Sequence, residues 1–249
     1  MADFTRVDYG VQWNSAAPVP GTVCGFQAIP VIESVAAGVV ALMRQFGHAE
    51  KFVWGNPDAW ASDYEHPERA SNGDSLNGID DVHFMYFAGH GARELSVSLA
   101  SNHFGCRAFY TNMRLGVKKL RWLVLDLCDA VTDPVNDSVP RVWFAPTDGD
   151  SAHPLRSLCV LCTFVGESFA GFDTNRGAEF ATAVSRGTPV GTAWLDAAFA
   201  RSGSQTNRPI AIACGMDAHD AQFRCDHGTL ADRDLGPVPS NHLTWKWRG

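Results

Sequence analysis

The stretch "VHFMYFAGHG", residues 82–91, decides how the chain is read. A run of large apolar residues stops abruptly at Gly89-His90-Gly91. Such a run suits a strand covered on both faces, as in a parallel sheet. A second run, "RWLVLDLCD" (121–129), ends at Cys128. The residues between, 92–120, suffice for a crossover that brings the second strand beside the first. In open α/β sheets, reactive groups collect at the carboxyl ends of the strands. The two runs are therefore expected to deliver an imidazole and a thiol to one edge.

Working outward, "DYGVQW" (8–13) alternates as a strand, and "KFVWG" (51–55) is a short second one. Between them Val31, Ile32, Val35, Val39, Leu42, Met43 and Phe46 recur at helical spacing, with Gly47 as the stop. "RVWFAP" (141–146), "SLCVLCTFVG" (157–166) and "RPIAIACG" (208–215) read as further buried strands. "RGAEFATAVSRG" (176–187) and "VGTAWLDAAFARSG" (190–203) read as helices divided at Pro189. Strands alternating with helices predict an α/β fold, with a mostly parallel central sheet and helices on both faces. No linker, repeat or low-complexity tract interrupts it, so residues 1–249 read as one domain. The polar stretch 56–81 is rich in turn formers and long for a loop, which points to a functional role.

Composition narrows the function. The net charge is −7, with 20 Lys and Arg against 27 Asp and Glu, and no basic block stands out. A phosphate-tracking surface needs clustered positive charge, so nucleic acid is not expected as a partner. No apolar run reaches the ~18 residues of a membrane helix, and the start has no basic-then-apolar leader. The seven Cys, at 24, 106, 128, 159, 162, 214 and 225, are then expected as reduced thiols in a cytoplasm.

The pair His90 and Cys128 has a chemical logic. A thiolate is the nucleophile, and a nearby imidazole takes the thiol proton and returns it to a leaving amine. Glycines at 89 and 91 let the chain turn sharply and leave room for substrate. The amides of Gly91 and Cys128 are candidates to face an oxyanion. Asp126 and Asp129 flank the thiol, and negative charge there disfavours the thiolate. Asp126 alternatively orients His90 or a substrate amine, or holds a loop. "FVGES" ends another apolar run, which brings Glu167 and Ser168 to the same edge, as substrate contacts or as a helix cap. "CVLC" (159–162) has zinc-knuckle spacing but lies in an apparent strand, where its two thiols face opposite ways. Cys214, His219, Cys225 and His227 fit no standard zinc spacing, and core thiols are the preferred reading. No metal or cofactor is expected.

An apolar block ending in His-Gly, followed by one ending in Cys, resembles the caspase-like cysteine peptidases. "FMYFAGHG" and "LVLDLC" carry the resemblance, which implies His90 and Cys128 as the dyad and Gly91 as the family glycine. Caspases have Gln-Ala and legumains Glu-Ala before the Cys; here Asp126-Leu127 stands there. The chain is also similar to a bacterial caspase-like family of unknown function, through "WGNPDAW", "AGHG" and "WLVLDLC", over about Tyr9 to Trp247. The resemblance implies a peptidase, or a peptide ligase or cyclase of a biosynthetic pathway, acting through a thioester acyl-enzyme. The expected partner is a peptide or a small acyl or amide substrate. The same dyad also serves thioester chemistry on a small metabolite, and a catalytically silent scaffold that binds a peptide is the reading from outside enzymology.

Overall fold

A computed structural model describes residues 6–15, 24, 28–92, 96–98, 105–132, 139–144, 154–155, 157–172, 174–234 and 241–249. The strands are β1 (Asp8–Trp13), β2 (Ala49–Gly55), β3 (Phe84–Ala88), β4 (His90–Ala92), β5 (Ser96–Ser98) and β6 (Arg107–Phe109). They continue with β7 (Trp122–Asp126), β8 (Val160–Phe164), β9 (Arg201–Ser202), β10 (Gln205–Thr206), β11 (Pro209–Gly215) and β12 (His242–Trp247). The α-helices are α1 (Val31–Gln45), α2 (Arg176–Ser185), α3 (Val190–Ala198) and α4 (Ala218–His227).

Seven strands form one sheet in the order β12-β11-β8-β7-β3-β1-β2. Strands β2, β1, β3, β7 and β8 run parallel, while β11 and β12 are antiparallel to their neighbours. The α/β class and mostly parallel sheet are thus as the sequence predicts. All five residues of β3, of β7 and of β8 are buried, which is why each reads as an unbroken apolar run. From β1 the chain moves outward to β2, then returns to place β3 on the other side of β1. This reversal is a topological switch point at the carboxyl ends of β1 and β3, the position at which open α/β sheets bind ligands. His90 follows β3 directly at that edge. The amide of Asn14, just past β1, donates to the carbonyl of Ala88 at 2.9 Å and ties the two strand ends together.

The α-helices pack one on the next. Val35 and Val39 of α1 face Gly177 of α2, where a Cβ would come within 2.4 Å of the Val35 carbonyl oxygen. Phe180 of α2 lies 5.9 and 6.2 Å from the rings of Phe84 and Tyr86, and 6.0 Å from Trp194 of α3. Gly191 of α3 abuts the carbonyl of Cys225 in α4. On the opposite side of β3, short 3-10 turns take over: Tyr64, after the turn Ala61–Asp63, sits edge-on to Phe87 at 5.8 Å.

Those turns belong to the stretch 56–81, whose buried carboxylates serve the fold. Asp63 accepts from Gln12 Nε2 at 2.9 Å and from the Trp60 amide at 3.2 Å. Asp80 accepts from the amides of Lys118 and Leu120 at 3.2 and 3.1 Å, which fixes the turn leading into β7. Desolvation pushes both carboxyls up to about 6.

Three features depart from the sequence reading. "RVWFAP" is no strand in its described part: Pro140–Phe144 form a π-helical turn, and Ala145 and Pro146 lie outside the described residues. Trp143 there donates to the Ala130 carbonyl at 3.1 Å and stacks on Tyr110 at 4.4 Å. Short apolar runs do not distinguish strand from buried helix by periodicity, and packing chose the helix. Second, the C-terminal "HLTWKW" forms the edge strand β12 against β11. Third, the seven cysteines are not all free thiols. Cys24 and Cys106 are disulfide-bonded, because the fold brings their Cα atoms to 5.3 Å across 82 residues of sequence. No helix among the described residues is long and apolar enough to cross a membrane.

Candidate active site

Strands β3 and β7 lie side by side in register, ending at Ala88 opposite Asp126. The amide of Gly89 extends the ladder by donating to the Asp126 carbonyl at 3.1 Å. Two residues past each strand stand His90 and Cys128, both partly exposed. The chain after His90 runs directly against the thiol-bearing turn: a Cβ at Gly91 would lie 2.0 Å from the Cys128 carbonyl oxygen. Only glycine permits that approach, and this is the physical reason for the Gly after His90.

The turn at Cys128 is pinned from the far side. Asp129 adopts a left-handed conformation with φ of 59°, tolerable for Asp more than for most residues. Its amide donates to the Gly166 carbonyl at 2.7 Å, and the Gly166 amide donates to the Val131 carbonyl at 2.7 Å. These bonds join the Cys128 turn to the loop after β8. That loop brings Ser168 to the thiol. The Ser168 amide donates to Cys128 Sγ at 3.3 Å. The thiol in turn donates to the Ser168 carbonyl at 3.5 Å, and Ser168 Oγ lies 3.5 Å away. The neighbouring Glu167 is exposed. The contact of Ser168 with the sulfur is neither the substrate contact nor the helix cap expected from the sequence.

Asp126 turns inward instead of facing the edge. Its carboxylate accepts from Arg176 Nε and Nη2 at 2.8 and 2.7 Å, and from the Tyr86 hydroxyl at 2.7 Å. The two charged side chains are 0% and 1% exposed, so the pair neutralises Asp126 inside the core. Arg176 also reaches the Ala170 carbonyl at 3.3 Å, on the loop that carries Ser168. The side chain of Asn207 holds that loop from a second side: its Oδ1 accepts from the Phe169 amide at 2.7 Å, and its Nδ2 donates to the Phe169 carbonyl at 3.4 Å. Neither Arg176 nor Asn207 stands out as a site residue in the sequence. For Arg176 a signal exists: it falls in phase with Phe180 and Val184 on the buried stripe of α2, where an unpaired cation cannot stay. Asn207 carries no such signal.

Five cysteines are free, and four of them are buried. Burial pushes the thiols of Cys159, Cys162 and Cys214 up, and that of Cys225 up to about 11. Such thiols stay protonated and inert. Cys128 is the partly exposed free thiol. Cys214 and Cys225 donate toward the carbonyls of Leu155 and Ala211 as core groups. Among the described residues, no three His, Cys, Asp or Glu side chains gather where they could hold a metal ion.

Fold and site together define an α/β protein that carries a histidine and a cysteine past the carboxyl ends of two adjacent parallel strands. The chain belongs to the family described as "Domain of unknown function (DUF6345)", whose model matches residues 24–249. None of the curated proteins matches the chain.

Proposed function

We propose that the chain is a Cys/His enzyme of the caspase-like type, acting on an amide or acyl substrate through a thioester acyl-enzyme. The observation that carries the reading is the singular state of Cys128. It is the free thiol open to solvent, it follows the strand beside the one that leads to His90, and an N–H donor is aimed at its sulfur. The Ser168 amide stabilises the thiolate once the proton has left. His90 takes that proton. Sγ then bonds to the substrate carbonyl carbon, and the oxyanion is met by the amides of Gly91 and Cys128. Collapse breaks the bond to the leaving amine, which takes the proton from His90. Water or a second amine cleaves the thioester. Water makes the protein a peptidase; an amine makes it a ligase or cyclase.

Iodoacetamide tests this. Cys128 is expected to alkylate far faster than the four buried thiols, and His90→Ala to slow it by ~10²-fold, in the range of a lost general base. Uniform, His90-independent labelling overturns the reading in favour of a silent binding scaffold. Intact-mass detection of an acyl adduct from peptides, but not from small thioesters, separates peptidase from metabolite chemistry.

A further inference from the structure

The two halves of the candidate site belong to different sheets. Cys128 is held by the core strand β7 and by the loop that Arg176 and Asn207 clamp. His90 begins the second sheet, β4-β5-β6, whose strands have three residues each and whose Val97 and Ala108 are buried in the core. In register, His90 pairs with Ser98 and Ser98 with Arg107. Cys106 immediately precedes Arg107 and is partly exposed. Its disulfide partner Cys24 is buried. The covalent bond therefore ties the residue that precedes the last strand of the His90 sheet to a buried position 82 residues earlier in the chain.

We propose that the Cys24–Cys106 disulfide is a redox-responsive tether of His90. Closed, it holds the small sheet in place with His90 beside Cys128. Opened, it releases that sheet and slows reaction at the thiol. The proposal rests on the Cys128/His90 reading of the site. Opening requires a dithiol reductant. One reductant thiolate attacks the sulfur of Cys106, the partly exposed residue of the pair, the Cys24–Cys106 bond breaks, and Cys24 leaves as a thiolate that takes a proton from water. The second reductant thiol then displaces Cys106, which leaves as a thiol. Two electrons have passed from the dithiol, now a cyclic disulfide, to the cystine. In a compartment that keeps thiols reduced the tether stands open; in an oxidising one it stands closed.

The test uses the full chain, air-oxidised or treated with dithiothreitol and desalted, with two readouts. The first is the rate of Cys128 alkylation by iodoacetamide, followed by peptide mass. Opening is expected to slow it roughly tenfold or more, since small misplacements of catalytic groups cost that much. Cys24→Ser and Cys106→Ser are expected to react at the slow rate with or without reductant, and reoxidation to restore the fast rate in the unsubstituted chain. The second readout is amide hydrogen exchange over 90–92 and 107–109, expected to speed up on opening while 122–126 stays protected. Equal alkylation rates in both redox states, with Cys128 still outpacing the buried thiols, overturn the tether and leave the enzyme reading intact. An inert Cys128 in both states overturns the enzyme reading. Unchanged exchange, or a non-reducing peptide map without the 24–106 link, overturns the tether by itself.

Discussion

Arg176 and Asp126 form a two-point ion pair, at 2.8 and 2.7 Å, from which solvent is shut out on both sides. One guanidinium thereby joins the end of β7, two residues before Cys128, to the Ala170 carbonyl on the loop that contacts the thiol. The pair turns what reads in sequence as a negative charge beside the thiol into a neutral strut.

Breaking one side of that strut leaves a buried charge uncompensated. Arg176→Met is expected to cost about 3–5 kcal/mol, whereas Asp126→Leu with Arg176→Met recovers much of the loss. Urea unfolding measures both. A single variant as stable as the parent contradicts the burial of the pair.

Gly91→Ala forces a methyl group onto the Cys128 carbonyl, which is backbone and cannot swing aside. We expect a loss of roughly 1–3 kcal/mol, typical of overpacking, together with slower alkylation of Cys128. Gly171→Ala is the control: a Cβ there meets nothing within 4 Å. Equal melting temperatures for the two variants contradict the close approach of the two chains.

Denaturation should reveal the thiols in two classes. Native protein takes one alkyl group, at Cys128, and unfolding exposes the buried Cys159, Cys162, Cys214 and Cys225. Mass spectrometry of native Cys128→Ala is then expected to find no adduct. Rapid native labelling of any of the four would contradict their burial.

Asp63 and Asp80 give stability a pH dependence. Each carboxyl titrates at about 6 when folded, against 3.8 ordinarily, so folding favours the protonated form. Their contribution is fully present below about pH 3.8 and is lost as pH rises through about 6, at most ~3 kcal/mol for each. Asp63→Asn keeps an oxygen for Gln12 and Trp60 and carries no charge. It is expected to be relatively more stable than the parent at pH 7.5 and to lose that advantage at pH 4. Thermal melts at the two pH values decide; a difference between variant and parent that ignores pH would contradict the raised value.

The core strands are legible in sequence because strands buried on both faces must be apolar throughout, and β3, β7 and β8 are. His90 and Cys128 are legible for a related reason: each follows the abrupt end of such a run, where a parallel sheet opens. Helix α1 shows through its spacing, since Ile32, Val35, Val39 and Met43 share its buried face.

Other features depend on which residues meet in space. The sequence names Asp126 as a neighbour of the thiol, but only the packing of α2 on β7 supplies Arg176, fifty residues away, and turns the carboxylate inward. Ser168 reads as a helix cap or a substrate contact in the sequence, and nothing there shows that the Asp129–Gly166 bond brings its loop to the Cys128 sulfur. Cysteine spacing says nothing of the Cys24–Cys106 link, which joins residues 82 apart that only the fold brings together. By itself the sequence determined the buried core strands, the main helices and the positions of His90 and Cys128 just past two strand ends, because burial and period are local properties of a strand or helix. Only the tertiary structure decided how those groups are neutralised, contacted and tethered, because each of those depends on partners that chain distance does not reveal.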